Sequence, residues 1–201
     1  MKKTATIAAV LLAITLTIAL MPTEAEAKIY EDTVRLHILA NSDSDEDQSL
    51  KLAVRDEVLL TYGAELSDSH TKLEAEERIR RLTEDIKECA EGVISRHGYA
   101  YPVSVSLTSE WYDTREYESF TLPKGYYTSL KIVIGRGDGR NWWCVMYPPL
   151  CLDAATDAPS DDAVLGYTDE EVRLISGRGY KVKFKLLEVV SEIFARDESG
   201  Y

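Results

Sequence analysis

The apolar residues of this chain change period once, and that change limits the class of fold it can reach. Ala75, Ile79, Leu82, Ile86, Cys89 and Val93 step by four and three, which is the buried stripe of an amphipathic helix. From Tyr101 the step is two, with Val103, Val105 and Leu107 alternating against serines, as in a strand with one buried face. Further strands are expected over 34–40, 116–122 and 129–135, and a first helix over 48–62. The long helix is expected over 70–96, with Ser69 as its N-cap and Gly98 just past its end. The pattern predicts an α+β fold: an antiparallel sheet packed against a long helical pair, with short C-terminal helices. Cys89, on the helical stripe, reads as a core thiol.

Ahead of these elements, Lys2 and Lys3 precede an uncharged, largely aliphatic run from Thr4 to Thr23. Ala25-Glu26-Ala27 then offers small residues at the two positions a signal peptidase reads. Residues 1–27 are expected to be a secretory signal peptide, cleaved to leave Lys28 first, and residues 28–201 one domain with one core. The competing reading is an uncleaved membrane tether, because the apolar run approaches the ~20 residues that span a bilayer. A formal net charge of -12 argues against nucleic acid or an anionic membrane surface as the partner.

Between Asn141 and Cys151 the chain concentrates Trp142, Trp143, Cys144, Tyr147, Pro148, Pro149 and Cys151. A Pro-Pro step ends a strand in a rigid corner. On the strand before it, Trp142 and Trp143 must face opposite sides, so one can fill the core while the other anchors a contact. The three cysteines admit at most one internal disulfide. Cys144 and Cys151, with the Pro-Pro corner between them, either form that bridge or serve as small core residues.

The residues that could carry chemistry are sparse. Alternation over 34–40 puts Arg35 and His37 on one face, solvent-side or helix-covered, and Val34, Leu36, Ile38 and Ala40 on the other. Asp43, Asp45 and Asp47 have calcium-loop spacing, but Gln48 stands where the turn glycine belongs and Val54 where the bidentate Glu belongs. An N-cap at Ser44 or Asp45 explains the same residues. The Gly135–Gly139 segment precedes a strand, so it reads as a hairpin turn and not a phosphate loop. An acidic loop over 153–162, a helix capped by Thr168 with Glu171, and a last helix over 181–195 complete the chain. A cysteine hydrolase would need Cys144 or Cys151 beside His37, His70 or His97. Bulky apolar neighbours raise the Cys144 thiol pKa, and His70 and His97 sit at opposite ends of one helix. No enzyme activity, cofactor, metal or small-molecule substrate is expected.

Two segments resemble the signatures of a known family, stage II sporulation protein R. The first is Arg35-Leu36-His37-Ile38-Leu39-Ala40-Asn41-Ser42-Asp43-Ser44, continuing through Asp47-Gln48, Leu50-Lys51-Leu52 and Val54-Arg55-Asp56. The second is Asn141-Trp142-Trp143-Cys144-Val145 with Pro148-Pro149-Leu150-Cys151. The resemblance implies a protein exported from the forespore into the space between the two sporulation membranes. There it would activate a membrane-embedded aspartic protease of the mother cell that processes pro-sigma-E. The alternatives are a secreted thiol-dependent enzyme and a structural spore-envelope protein. The contact surface offered by the sequence is Trp142, Trp143 and Tyr147, followed by Arg35, His37 and Asn41.

Overall fold

Strand β1 (Val34–Leu39) shows why the sheet forms where it does. Its alternation sends Leu36 and Ile38 to one face and Arg35 and His37 to the other, and every residue but the last is buried. A strand buried on both faces belongs in the interior of a sheet, and β1 pairs along both edges. The computed structural model describes residues 24–117, 120–149 and 167–176, together with residues 6, 10 and 14. The remaining elements are α1 (Glu24–Glu31), α2 (Asp45–Ser67), α3 (Lys72–Arg96), β2 (Val103–Tyr112), β3 (Arg115–Glu116), β4 (Thr121–Leu122), β5 (Gly125–Ile134), β6 (Asn141–Tyr147) and α4 (Asp169–Ser176).

The α+β class expected from the sequence is the observed one, but the sheet is mixed and not wholly antiparallel. Its order is β2-β5-β1-β6, with β1 parallel to β5 and antiparallel to β6. The segment over 116–122 is not one strand. Its ends, β3 and β4, pair with each other as a separate two-stranded ladder.

Helices α2 and α3 cover one face of the sheet. Ala75, Ile79, Ile86, Ala90, Val93 and Ile94 of α3 pack with Leu50, Val54 and Val58 of α2 over Leu36, Ile38, Leu130 and Ile132. Those four strand residues have no exposed surface, and complete burial of such a side chain contributes ~1.5–3 kcal/mol. Ser44 caps α2 by accepting the Asp47 N–H at 3.1 Å. Thr71, and not Ser69, caps α3, accepting the Glu74 N–H at 3.2 Å. Gly98, at φ +83°, closes α3 as expected.

A second buried cluster lies on the opposite face, where the sequence suggested only solvent or a helix. Ile29 of α1, Tyr112, Leu122, Tyr127, Cys144, Val145, Tyr167 and Ile175 of α4 form it. The expected single core is therefore two clusters flanking the sheet. Helix α1 runs through the expected cleavage point. Cleavage after Ala27 leaves Ile29, which has no exposed surface, and Tyr30, whose ring meets Tyr127 edge-on at 5.2 Å. Thr168 and Glu171 form the expected capping box of α4, whereas the acidic loop and the last helix lie outside the described residues. Among the described residues no helix is long and apolar enough to cross a membrane.

The Gly135–Gly139 segment is a crossing, not a hairpin turn, because β1 lies between β5 and β6. The crossing is clasped to the chain that leaves β1. Gly139 N–H donates to the Ala40 carbonyl at 3.0 Å, and Asn41 Oδ1 accepts the Arg136 N–H at 3.1 Å. Asp43 Oδ1 accepts the Arg140 N–H at 2.7 Å, and Lys51 Nζ donates to the Arg140 carbonyl at 2.9 Å. A Cβ at Gly139 would collide with the Ser42 carbonyl and the Ala40 Cβ, both parts of that clasp. Gly139→Ala is expected to lower stability by about 1–3 kcal/mol in chemical denaturation, the usual cost of forcing atoms into filled space. Wild-type stability would show that the clasp is loose.

Candidate functional site

The face of the sheet opposite α2 and α3 carries the concentration of polar and aromatic groups. Register aligns His37 with Lys131 on β5 and Trp143 on β6, and Arg35 with Ser129 and Val145. Glu110 and Tyr112 reach the same face from β2.

Three groups hold His37. Its Nδ1 lies 2.9 Å from Glu110 Oε2, and its Nε2 lies 2.9 Å from Asn141 Oδ1. Trp143 lies alongside, with ring centroids 5.6 Å apart. Glu110 also accepts from Lys131 Nζ at 2.6 Å. Burial acts to raise the Glu110 pKa, but the hydrogen bonds from Lys131 and His37 outweigh it and hold the carboxyl below its ordinary value.

Arg35 is fully buried. Its guanidinium carbon stands 3.9 Å from the centre of the Tyr112 ring and 5.0 Å from that of Tyr127, a cation–π cage. Nη2 donates to the Tyr117 hydroxyl at 2.8 Å, while Nε and Nη1 have no hydrogen-bond partner. Burial pushes the Tyr112 phenol up to about 12 and the Tyr127 phenol well above its ordinary value, so neither supplies a counter-charge at neutral pH. Arg115, at the start of β3, covers the Trp143 ring at 3.8 Å.

The residues named from the sequence do not form one surface. Arg35, His37 and Trp143 are brought together on this face. Trp142 faces the other way, under the Arg55 guanidinium of α2 at 5.0 Å, so the tryptophans do point to opposite sides. Each is half-buried, and each is capped by an arginine. Tyr147 is buried in the helix-side core and donates to the His70 carbonyl at 3.0 Å. Asn41 belongs to the clasp and donates to Asp47 at 2.9 Å.

Asp47 sits in that clasp and not in a calcium loop. Burial acts to raise its pKa, but hydrogen bonds from Ser42, Asn41 and Tyr101 lower it. Cys144 takes part in a disulfide and Cys89 is a free thiol; Cys151 lies outside the described residues. The register places Trp143, not Cys144, opposite His37.

The aromatic pair that does meet solvent went unnamed. Trp111 is 53 % exposed and Tyr126 is 65 % exposed, and their rings meet edge-on at 5.1 Å across the β2–β5 ladder. The signal for it was available: Trp111 follows Val103, Val105 and Leu107 in phase along β2, beyond the serine at which that apolar alternation stops.

A mixed sheet with a helical pair on one face and a caged cation and a histidine–carboxylate–lysine chain on the other defines an α+β domain. The comparisons give the family. Residues 30–157 match the family model described as stage II sporulation protein R, and the chain belongs to that family. It is 32 % identical over 187 residues to the stage II sporulation protein R of Bacillus subtilis (strain 168), covering 83 % of this chain and 84 % of that one. No solved structure matches it.

The depressed Glu110 carboxyl sets a pH dependence. A carboxyl whose folded pKa lies below its unfolded one adds stability above the unfolded value, here about 4.5, and loses it as pH falls through the folded value. Glu110→Gln is expected to cost about 1.5–3 kcal/mol at pH 7, the scale of a lost charge-assisted bond. The gap to wild type should close as denaturation is measured at progressively lower pH below 4.5. A gap independent of pH would mean that Glu110 acts through its shape alone.

Proposed function

We propose that this protein is an exported forespore signal that activates a membrane-embedded aspartic protease of the mother cell, triggering processing of pro-sigma-E during endospore formation. Membership of the stage II sporulation protein R family is the observation that carries this reading. The basic start and aliphatic run before residue 24 support export. In this reading the protein acts by binding. Activation requires tighter binding to the active arrangement of the protease than to the inactive one, because equal affinity shifts no equilibrium.

The geometry supports a ligand better than a thiol-dependent catalyst. Both ring nitrogens of His37 are engaged, by Glu110 and Asn141. Burial raises the pKa of the free Cys89 thiol, which disfavours the nucleophilic thiolate. The Trp111–Tyr126 pair is the kind of exposed rigid aromatic that dominates interfaces.

Co-expression of this chain with the protease and pro-sigma-E in a non-sporulating host tests the reading. Cleavage is expected only when all three are present. Trp111→Ala should keep the fold by circular dichroism and sharply reduce cleavage, as befits a contact worth ~2 kcal/mol. Cleavage without this chain would refute the signalling role, and full activity of the folded variant would remove Trp111 from the contact.

A further inference from the structure

Among the described residues, four of the six buried side-chain atoms without a hydrogen-bond partner belong to Arg35 and to the segment around β3 and β4; the others are Ser69 Oγ and Glu171 Oε1. Arg35 contributes Nε and Nη1, Thr114 contributes its hydroxyl just before β3, and Thr121 contributes its hydroxyl on β4. All four atoms can donate. Most buried polar groups in proteins are paired, so orphan donors on Arg35 and on the β3–β4 segment whose Tyr117 it bonds mark a place suited to meet an acceptor.

Charge points the same way. The chain carries a net charge of -12, yet among the described residues neither Arg35 nor Arg115 has an ion pair. Arg35 lies against Tyr112 and Arg115 against Trp143, and the two rings stand 6.4 Å apart. Burial lowers the Arg115 pKa, and the Arg35 charge lowers it further, so the two cations feel each other across the aromatic box. The nearby carboxylate, Glu110, is already held by Lys131 and His37.

We infer that Arg35 and Arg115 form a binding site for a carboxylate, which enters beneath the β3–β4 ladder and takes the place of the Tyr117 hydroxyl on Arg35. A carboxylate matches the planar fork of a guanidinium with two parallel hydrogen bonds, whereas the phenol accepts one. The ladder it must lift is two residue pairs long. Tyr117 is therefore an occupant that competes with the ligand, and Arg115 supplies the second charge. The inference does not depend on the signalling reading.

Three probes test it by nuclear magnetic resonance of the Trp143 indole N–H in the full chain: N-acetylglutamate N-methylamide, its glutamine analogue and inorganic phosphate, at matched ionic strength. The glutamate probe is expected to give a saturable shift, and the glutamine analogue and phosphate none. Arg115→Met should weaken the glutamate probe at least tenfold. Tyr117→Phe, which removes the competing hydroxyl and keeps the ring, should tighten it several-fold. Acetate distinguishes the source: affinity equal to that of the glutamate probe assigns the site to a free carboxylate, and weaker affinity to a peptide side chain. Absence of a saturable shift, an equal response to the glutamine analogue, preference for phosphate, or indifference to both substitutions would each overturn the site.

Discussion

Strand β1 is hydrogen-bonded along both edges and buried on both faces, and the rest of the fold follows from that constraint. A strand in this position must satisfy two unlike layers with alternate residues. Leu36 and Ile38 meet the helical pair, while Arg35 and His37 meet a layer of tyrosines, a tryptophan and a carboxylate. A register slip of one residue would place the arginine beneath α2 and α3 and the leucine in a polar cage, so the pairing is strongly determined. The parallel partner β5 and the antiparallel partner β6 both read their registers from this strand.

The chain that leaves β1 does a second task. Asn41, Ser42, Asp43, Ser44 and Asp47 hold the crossing between β5 and β6, cap α2 and satisfy one another. Asp47 accepts from both Asn41 and Ser42. The segment that resembles the family's first signature is thus mostly scaffold, and it continues through the first turns of α2. Within the same ten residues, Arg35 and His37 stand apart, because their contacts are made by residues distant in the chain: Tyr112, Tyr117, Tyr127, Glu110, Asn141 and Trp143.

The periodic elements were legible because their signals are local. The stripe through Ala75 and Val93, the alternation from Val103, the Thr168–Glu171 capping box and the glycine closing α3 each sit within one or two turns of what they specify. The cap of α3 was misread because Ser69 and Thr71 are both competent caps. Glu74, three residues after Thr71, is the capping-box partner that separates them. The sheet order was not legible. Asp138-Gly139 is good hairpin chemistry, and nothing near it reveals that a strand a hundred residues earlier lies between its flanks. The second cluster escaped for the same reason, since Ile29, Tyr112, Tyr127, Tyr167 and Ile175 share no period and come from segments spread over the chain. At the site, sequence paired Arg35 with His37 correctly but had no means of finding the two tyrosines that cage the arginine.

The polar face of β1 is proposed to serve recognition as well as packing. Arg35 is its sharpest case, since a buried cation with two unbonded nitrogens is a poor source of folding energy, and a hydrophobic replacement of similar length is often neutral or stabilising. Arg35→Met places a flexible thioether among the same aromatic rings. Its thermal melting and its activity in the co-expression cleavage assay, measured on the same preparation, are the most direct test. The account predicts a melting temperature equal to or above that of the wild type, together with loss of pro-sigma-E cleavage. A folded variant that still drives cleavage would show that recognition lies elsewhere, and one whose melting collapses would show that Arg35 is structural.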